Sequence, residues 1–169
     1  MDEEQSLTGP QYATYEELYE KALAIATEAH NGQTRWNGSP YITHPIRVAA
    51  RLPVEDSAIA VLHDVLEDTK VTESDLRAVL PAFIVDVVVV LTKRPGELYS
   101  EFIRSILHNN RARRVKMADI EDNLSDLPTD RRYMREKYEL AHLVLELGDE
   151  VLYQKDKLRQ IADVLQTEP

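Results

Sequence analysis

From Thr14 onward, apolar positions recur at helical spacing. Thr14-Tyr15-Glu16-Glu17 has the pattern of a capping box, in which the threonine hydroxyl and the glutamate carboxylate satisfy backbone N–H groups that a first turn leaves free. Leu18, Ala22, Ile25, Ala26 and Ala29 then share one stripe, and Asn31-Gly32 closes the helix. Asn37-Gly38-Ser39-Pro40 reads as a loop. Pro45 suits the first position of a second short helix over 46–52, which Pro53 stops. Asp56 or Ser57 caps a third helix running to about Asp68. Its residues Ala58, Ile59, Ala60, Val61, Leu62, Val65 and Leu66 make it apolar nearly all round, which predicts the central, buried helix. Thr72 to Asp75 caps a fourth, ending before Pro81.

The valine-rich stretch 83–91 favours a strand by propensity. The sequence offers no second strand to pair with it, so a buried helix is the consistent reading. Further stripes run through Tyr99/Phe102/Ile103/Ile106, 115–127, Tyr138/Ala141/Leu145 and Leu158/Ile161/Leu165, with Gly148 as a break between the last two. Residues 1–13 show no periodicity and are expected to form a flexible tail. With no repeat or linker, 14–169 reads as one all-α domain, a helical bundle.

The chain has 169 residues, 43% of them apolar, enough to bury a core. Its 20 Lys and Arg against 30 Asp and Glu give a formal charge of −10. That balance argues against nucleic acid as a partner, since phosphate-backbone affinity comes from Lys and Arg. It leaves room for a small phosphorylated ligand. Without cysteine, any transition-metal site must use His, Asp and Glu. There is no apolar run of about 18 residues, and the first residues are acidic where a signal peptide is basic and apolar. The expectation is a cytoplasmic protein with no membrane partner. A homo-oligomer stays open.

The third helix carries His63-Asp64 and Glu67-Asp68. On a helix, residues four apart stack, so His63 lies over Glu67 and Asp64 over Asp68. Four ionisable groups on an apolar helix are expensive to bury unpaired, and a metal ion removes that cost. The alternative is a helix end projecting into solvent. His44, before Pro45, reads alone as a structural loop histidine. Asp119, following Met117-Ala118, faces inward with Asn123 one turn later; the competing reading is a solvated acidic face shared with Glu121, Asp122 and Asp126. Together His44, His63, Asp64 and Asp119 would make a site of two imidazoles and two carboxylates, a donor set suited to Mn, Fe or Zn. Such an ion lowers the pKa of coordinated water and makes it a nucleophile near neutral pH. Lys93, Arg94, Arg111, Arg113 and Arg114 form a local basic patch that could meet phosphate, no more than two of them directly. Tyr99, Phe102, Tyr133 and Tyr138 are read as packing. His30, His108 and His142 are assigned to no metal.

The stretches Ala29 to Arg35, Gly38 to Pro45 (with Tyr41-Ile42-Thr43-His44-Pro45), Leu62 to Thr69, Leu91 to Lys93 and Val115 to Asp119 with Asn123 occur in an order that resembles the HD-domain hydrolases of the RelA/SpoT type, above all the stand-alone small alarmone hydrolases. The resemblance spans roughly residues 14 to 147. It implies an all-helical HD domain holding one divalent ion, most often Mn2+. The implied reaction removes the 3′-pyrophosphate from guanosine tetra- or pentaphosphate to give GDP or GTP. Carried over by position, His44, His63, Asp64 and Asp119 match the metal ligands. Glu67 and Asp68 match the pair that orients and deprotonates water, and Arg35 matches the residue that stacks on the base. Asn123 matches a nucleoside contact and Lys116 a basic residue near the pocket; Lys93, from the local basic patch, is read as a further substrate contact. The chain departs from the pattern at Trp36, where a second basic residue is common. It departs also at Ile120-Glu121-Asp122, in place of a more basic run, and at Asp126, in place of a small hydroxyl residue. Alternatives are an HD-type phosphohydrolase of an adenine alarmone, a nucleoside monophosphate or NADPH, and a catalytically silent nucleotide-binding module.

Overall fold

The computed structural model describes residues 14–165, which form ten helices and no strand. The tail expected over 1–13 lies outside the described residues. In chain order the helices are α1 (Tyr15–Ala29), α2 (Thr43–Ala49), α3 (Val54–Leu62), α4 (Val65–Asp68), α5 (Glu73–Val79), α6 (Ala82–Leu91), α7 (Tyr99–Ile106), α8 (Asn110–Asp126), α9 (Arg132–Glu146) and α10 (Gly148–Leu165).

Both capping boxes are present. Thr14 Oγ1 accepts from Glu17 N at 3.2 Å while Glu17 Oε2 accepts from Thr14 N at 2.7 Å, and Thr72 and Asp75 repeat the exchange at α5. The valine stretch is helix α6, with Ile84, Val85, Val87, Val88 and Leu91 buried. Central α3 packs against α1, α2, α6 and α8, and its residues 58–62 are all in the core.

Three boundaries depart from the sequence reading. α2 starts at Thr43, not after Pro45, because the Thr43 hydroxyl turns back to the Pro40 carbonyl at 2.8 Å; His44 is therefore on a helical first turn. α3 starts at Val54 after Pro53, so Asp56 lies within its first turn instead of capping it. The expected single helix to Asp68 is broken at His63-Asp64, where the Ala60 carbonyl takes both the His63 amide at 3.4 Å and the His63 Nδ1 at 2.7 Å. A side chain inserted into the backbone ladder is a recognised cause of such a bend. α4 restarts from Asp64, whose carbonyl accepts from Asp68 N at 2.9 Å.

Candidate metal centre and nucleotide pocket

Three elements meet at the break. α2 supplies His44, the α3–α4 turn supplies His63 and Asp64, and α8 supplies Asp119. One ligand atom each from His44, His63 and Asp119 lies within 4.8 Å of the others, and all three residues are buried. His44 Nε2 is 3.0 Å from Asp119 Oδ1 and 3.7 Å from Asp64 Oδ2. His63 Nε2 is 3.0 Å from Asp64 Oδ2 and 3.4 Å from Asp119 Oδ1.

The outer nitrogens decide what these imidazoles can do. His44 Nδ1 faces Asp122 Oδ2 at 2.7 Å, and His63 Nδ1 faces the Ala60 carbonyl at 2.7 Å. Both acceptors require Nδ1 to carry a proton, so the hydrogen-bond network assigns each Nε2 its lone pair. Those lone pairs then confront carboxylates, acceptor against acceptor. His63 Nε2 is buried without a hydrogen-bond partner among the described residues. Only a positive charge between them resolves the arrangement. A proton does so in part: burial lowers both histidine pKa values, but Asp119 and Asp122 outweigh it at His44, and Asp64 and Asp119 at His63, so both end above the usual imidazole range. A divalent ion fills the same gap, and the donor set of imidazoles and carboxylates fits one.

The surroundings hold the ligands in place. Burial alone would raise Asp119, but the Lys116 ammonium, 2.7 Å from Oδ2, helps to hold it well below the usual carboxylate range. Asn123 Nδ2 donates to Asp119 Oδ1 at 2.6 Å. The Tyr41 hydroxyl donates to Asp64 Oδ2 at 2.5 Å and reaches Asp68 Oδ2 at 3.3 Å. Glu67 and Asp68 border a cavity beside these ligands, open to solvent; Glu67 Oε2 accepts from Lys93 N at 3.2 Å. Desolvation raises both carboxyls above their usual range, and Asp64 adds to the effect at each.

The cavity beside the cluster measures about 320 Å³ and is walled by Arg35, Trp36, Tyr41, Lys93, Tyr99, Lys116, Asn123, Lys137 and Tyr138, among others. Arg35, Asp64, Glu67, Asp68, Lys93, Lys116, Asp119 and Asn123 all line it, and His44 and His63 lie beside it against Asp119. Their partners differ from a simple reading. Arg35 is pinned, Nη1 donating to Asn123 Oδ1 at 3.0 Å and Nη2 to Asp126 Oδ1 at 2.7 Å, with its guanidinium carbon 4.7 Å from the Trp36 ring centroid. Trp36 Nε1 donates to the same Asp126 oxygen at 3.2 Å. Lys116 meets a candidate ligand in addition to lining the cavity.

Four expectations need correction. Asp122 is fully buried, not part of a solvated face, because His44, Arg47 and Arg51 all converge on it. Arg111 and Arg114 both pair with buried Asp56 at 2.7 Å and so belong to the bundle, not to the pocket. Tyr99, Phe102 and Tyr138 pack against the core as read and also wall the cavity, but Tyr133, read with them as packing, is 78% exposed. His44 is no loop residue. Sequence reasoning missed Tyr41, Asp122 and Lys137. For Asp122 a signal existed: Asp119, Asp122, Asn123 and Asp126 fall at i, i+3, i+4 and i+7, one face of α8. His30, His108 and His142 stay outside the cluster, His30 facing Gln33 and His142 facing Glu121.

No family model matches the chain. It is 31% identical over 179 aligned positions to the bifunctional (p)ppGpp synthase/hydrolase SpoT of Escherichia coli, covering 86% of this chain and 25% of that protein. It is 32% identical over 181 positions to a guanosine-3′,5′-bis(diphosphate) 3′-pyrophosphohydrolase of Vibrio cholerae, again 25% of that protein. Among solved structures it is similar to a metazoan orthologue of SpoT described as hydrolysing ppGpp and acting in starvation responses. There the TM-score is 0.64 at 26% identity, covering 86% of this chain and 98% of that one. The chain is a homologue of the SpoT-type hydrolases. It spans about a quarter of the length of the curated relatives it matches, and its all-helical fold is that of the SpoT-type hydrolase domain. Among the described residues no helix is long and apolar enough to cross a membrane.

Proposed function

We propose that the chain is a metal-dependent hydrolase that removes the 3′-pyrophosphate from guanosine tetra- or pentaphosphate, releasing GDP or GTP, with Mn2+ as the ion. The observation that carries this reading is the convergence of two Nε2 lone pairs and two carboxylates on one point. The homologues' named activity supports the substrate.

His44, His63, Asp64 and Asp119 would hold the ion. When bound, it supplies a Lewis acid that makes water nucleophilic near neutral pH and offsets charge on phosphoryl oxygens. Glu67 takes the proton of the attacking water, with Asp68 holding that water in line. Desolvation of Glu67 raises its basicity toward the working pH. The water oxygen bonds to the phosphorus attached at the 3′ position and the P–O3′ bond breaks. The 3′ oxygen takes a proton, leaving GDP or GTP and pyrophosphate. Lys93 N fixes Glu67, and the Tyr41 hydroxyl ties Asp64 to Asp68. Arg35, held flat by Asn123 and Asp126, offers the nucleobase a planar surface, a role a lysine could not fill.

The test is elemental analysis of the purified chain together with turnover of ppGpp, its adenine counterpart, a nucleoside monophosphate and NADPH. Pyrophosphate release from ppGpp with about one metal ion per chain is the expected result. Orthophosphate from a mononucleotide or NADPH alone, or tight ppGpp binding with no turnover, would replace this reading with one of the other two.

A further inference from the structure

The cavity is electrically lopsided. At one end Arg35 is neutralised by Asp126, and Asp126 also receives Trp36. At the other, Lys93, Lys116 and Lys137 line the same cavity, and among the described residues only Lys116 of the three has a carboxylate partner, Asp119. Among the described residues Lys93 Nζ reaches the carbonyls of Arg94 and Glu97, at 3.4 and 3.5 Å, and no carboxylate. Lys137, half-buried on α9, rests its ammonium 3.9 Å from the Tyr99 ring centroid and 5.9 Å from that of Tyr138. Among the described residues no carboxylate pairs with it. In a chain with 30 acidic and 20 basic residues, two cations without acidic partners in one cavity are conspicuous. The face of a tyrosine steadies an ammonium but does not neutralise it. The Tyr99 hydroxyl is buried there and has no hydrogen-bond partner among the described residues. Burial, then repulsion from Lys116 and Lys93, loosens the Lys137 proton.

We propose that Lys137, with Lys93 and the Tyr99 hydroxyl, forms a phosphate-binding subsite that holds the pyrophosphoryl group released by the reaction; the assignment rests on the hydrolytic reading above. The attacked phosphorus must lie near Glu67, and Glu67 is tied to the backbone of Lys93. The group leaving with that phosphorus therefore falls at the lysine end, and the nucleoside at the charge-balanced Arg35 end.

The experiment is a calorimetric titration of inorganic pyrophosphate, and separately of GDP, into the metal-loaded full chain as wild type, Lys137→Met and Lys137→Arg. Thermal melts verify folding, and metal content is checked afterwards. Lys137→Met should weaken pyrophosphate binding by about tenfold or more, the loss expected for one charge-assisted contact. Lys137→Arg should stay within about threefold, and GDP affinity should change by less than about threefold in both. Unchanged pyrophosphate affinity in Lys137→Met, no pyrophosphate binding by the wild type, or a larger loss for GDP would each overturn the assignment. Turnover decides the other question separately. A chain that binds pyrophosphate through Lys137 yet releases none from ppGpp would sink the hydrolytic reading while the subsite stands.

Discussion

Neutralising Asp122 would disturb three side chains at once, because its carboxylate receives His44 Nδ1 at 2.7 Å, Arg47 at 2.7 and 2.9 Å and Arg51 at 3.2 Å. The link to His44 matters most: it sets which imidazole nitrogen keeps its lone pair. Partners of this kind orient metal ligands, and their loss weakens metal binding by roughly 10–100-fold. We expect Asp122→Asn to lower Mn2+ affinity in that range, read by competition with a chelating dye, while the helical far-UV signal persists. Unchanged affinity would make Asp122 an anchor for arginines alone. Glu67→Gln should behave in the opposite way. It should keep metal content near normal and cut turnover by roughly 100-fold or more, as loss of a general base does; equal loss of metal would make Glu67 a ligand. At this scale the sequence showed the residue types and their spacing, but not their partners. Asp122 and Asp126 look like solvated acids until the arginines from the 33–41 loop and α2 are laid against α8, a juxtaposition no local pattern records.

Helices were legible where their signals are local. The capping boxes at Thr14 and Thr72 and the closing Asn31-Gly32 are short-range chemistry, and α1 and α5 follow them. The valine run became helix because a lone strand has no ladder partner. The α3–α4 break was not legible, since the competitor for the Ala60 carbonyl is the ring of His63 itself. The break turns His63 Nε2 and the Asp64 carboxylate toward the same point, 3.0 Å apart. α8 joins the elements: its first turns grip α3 through Arg111 and Arg114 on Asp56, and its middle carries Asp119. Asp56 is fully buried, whereas the side chains of Arg111 and Arg114 are 26% and 45% exposed. Solvent therefore takes up part of what its removal releases. Asp56→Ala should destabilise by about 2 kcal/mol, below the range for a wholly buried pair. The melting temperature should fall by roughly 4–8 °C, with metal content unchanged. A loss of bound metal equal to the loss of folded protein would show that the α3–α8 clamp also aligns the ligands.

For the molecule as a whole, the ion and the fold are linked through charge. The chain carries a formal charge of −10, and its centre brings Asp64 and Asp119 within reach of the same two imidazoles. An ion bound there binds the folded chain alone, because His44, the 63–64 pair and Asp119 come from three separate segments that unfolding separates. Binding to the native state stabilises it by RT ln(1 + [L]/Kd), roughly 2.7 kcal/mol at a hundredfold excess over Kd. For a chain of this size that raises the melting temperature by about 5–10 °C. Wild type in Mn2+ should melt that much higher than in excess EDTA. The acidic surface offers a second explanation, in which cations merely screen carboxylates; substitutions separate the two. Asp64→Asn removes a ligand and should lose most of the shift, whereas Lys137→Met leaves the ligands intact and should keep it. An equal shift in Asp64→Asn and wild type would place the ion elsewhere on the surface, and the hydrolytic mechanism would lose its centre.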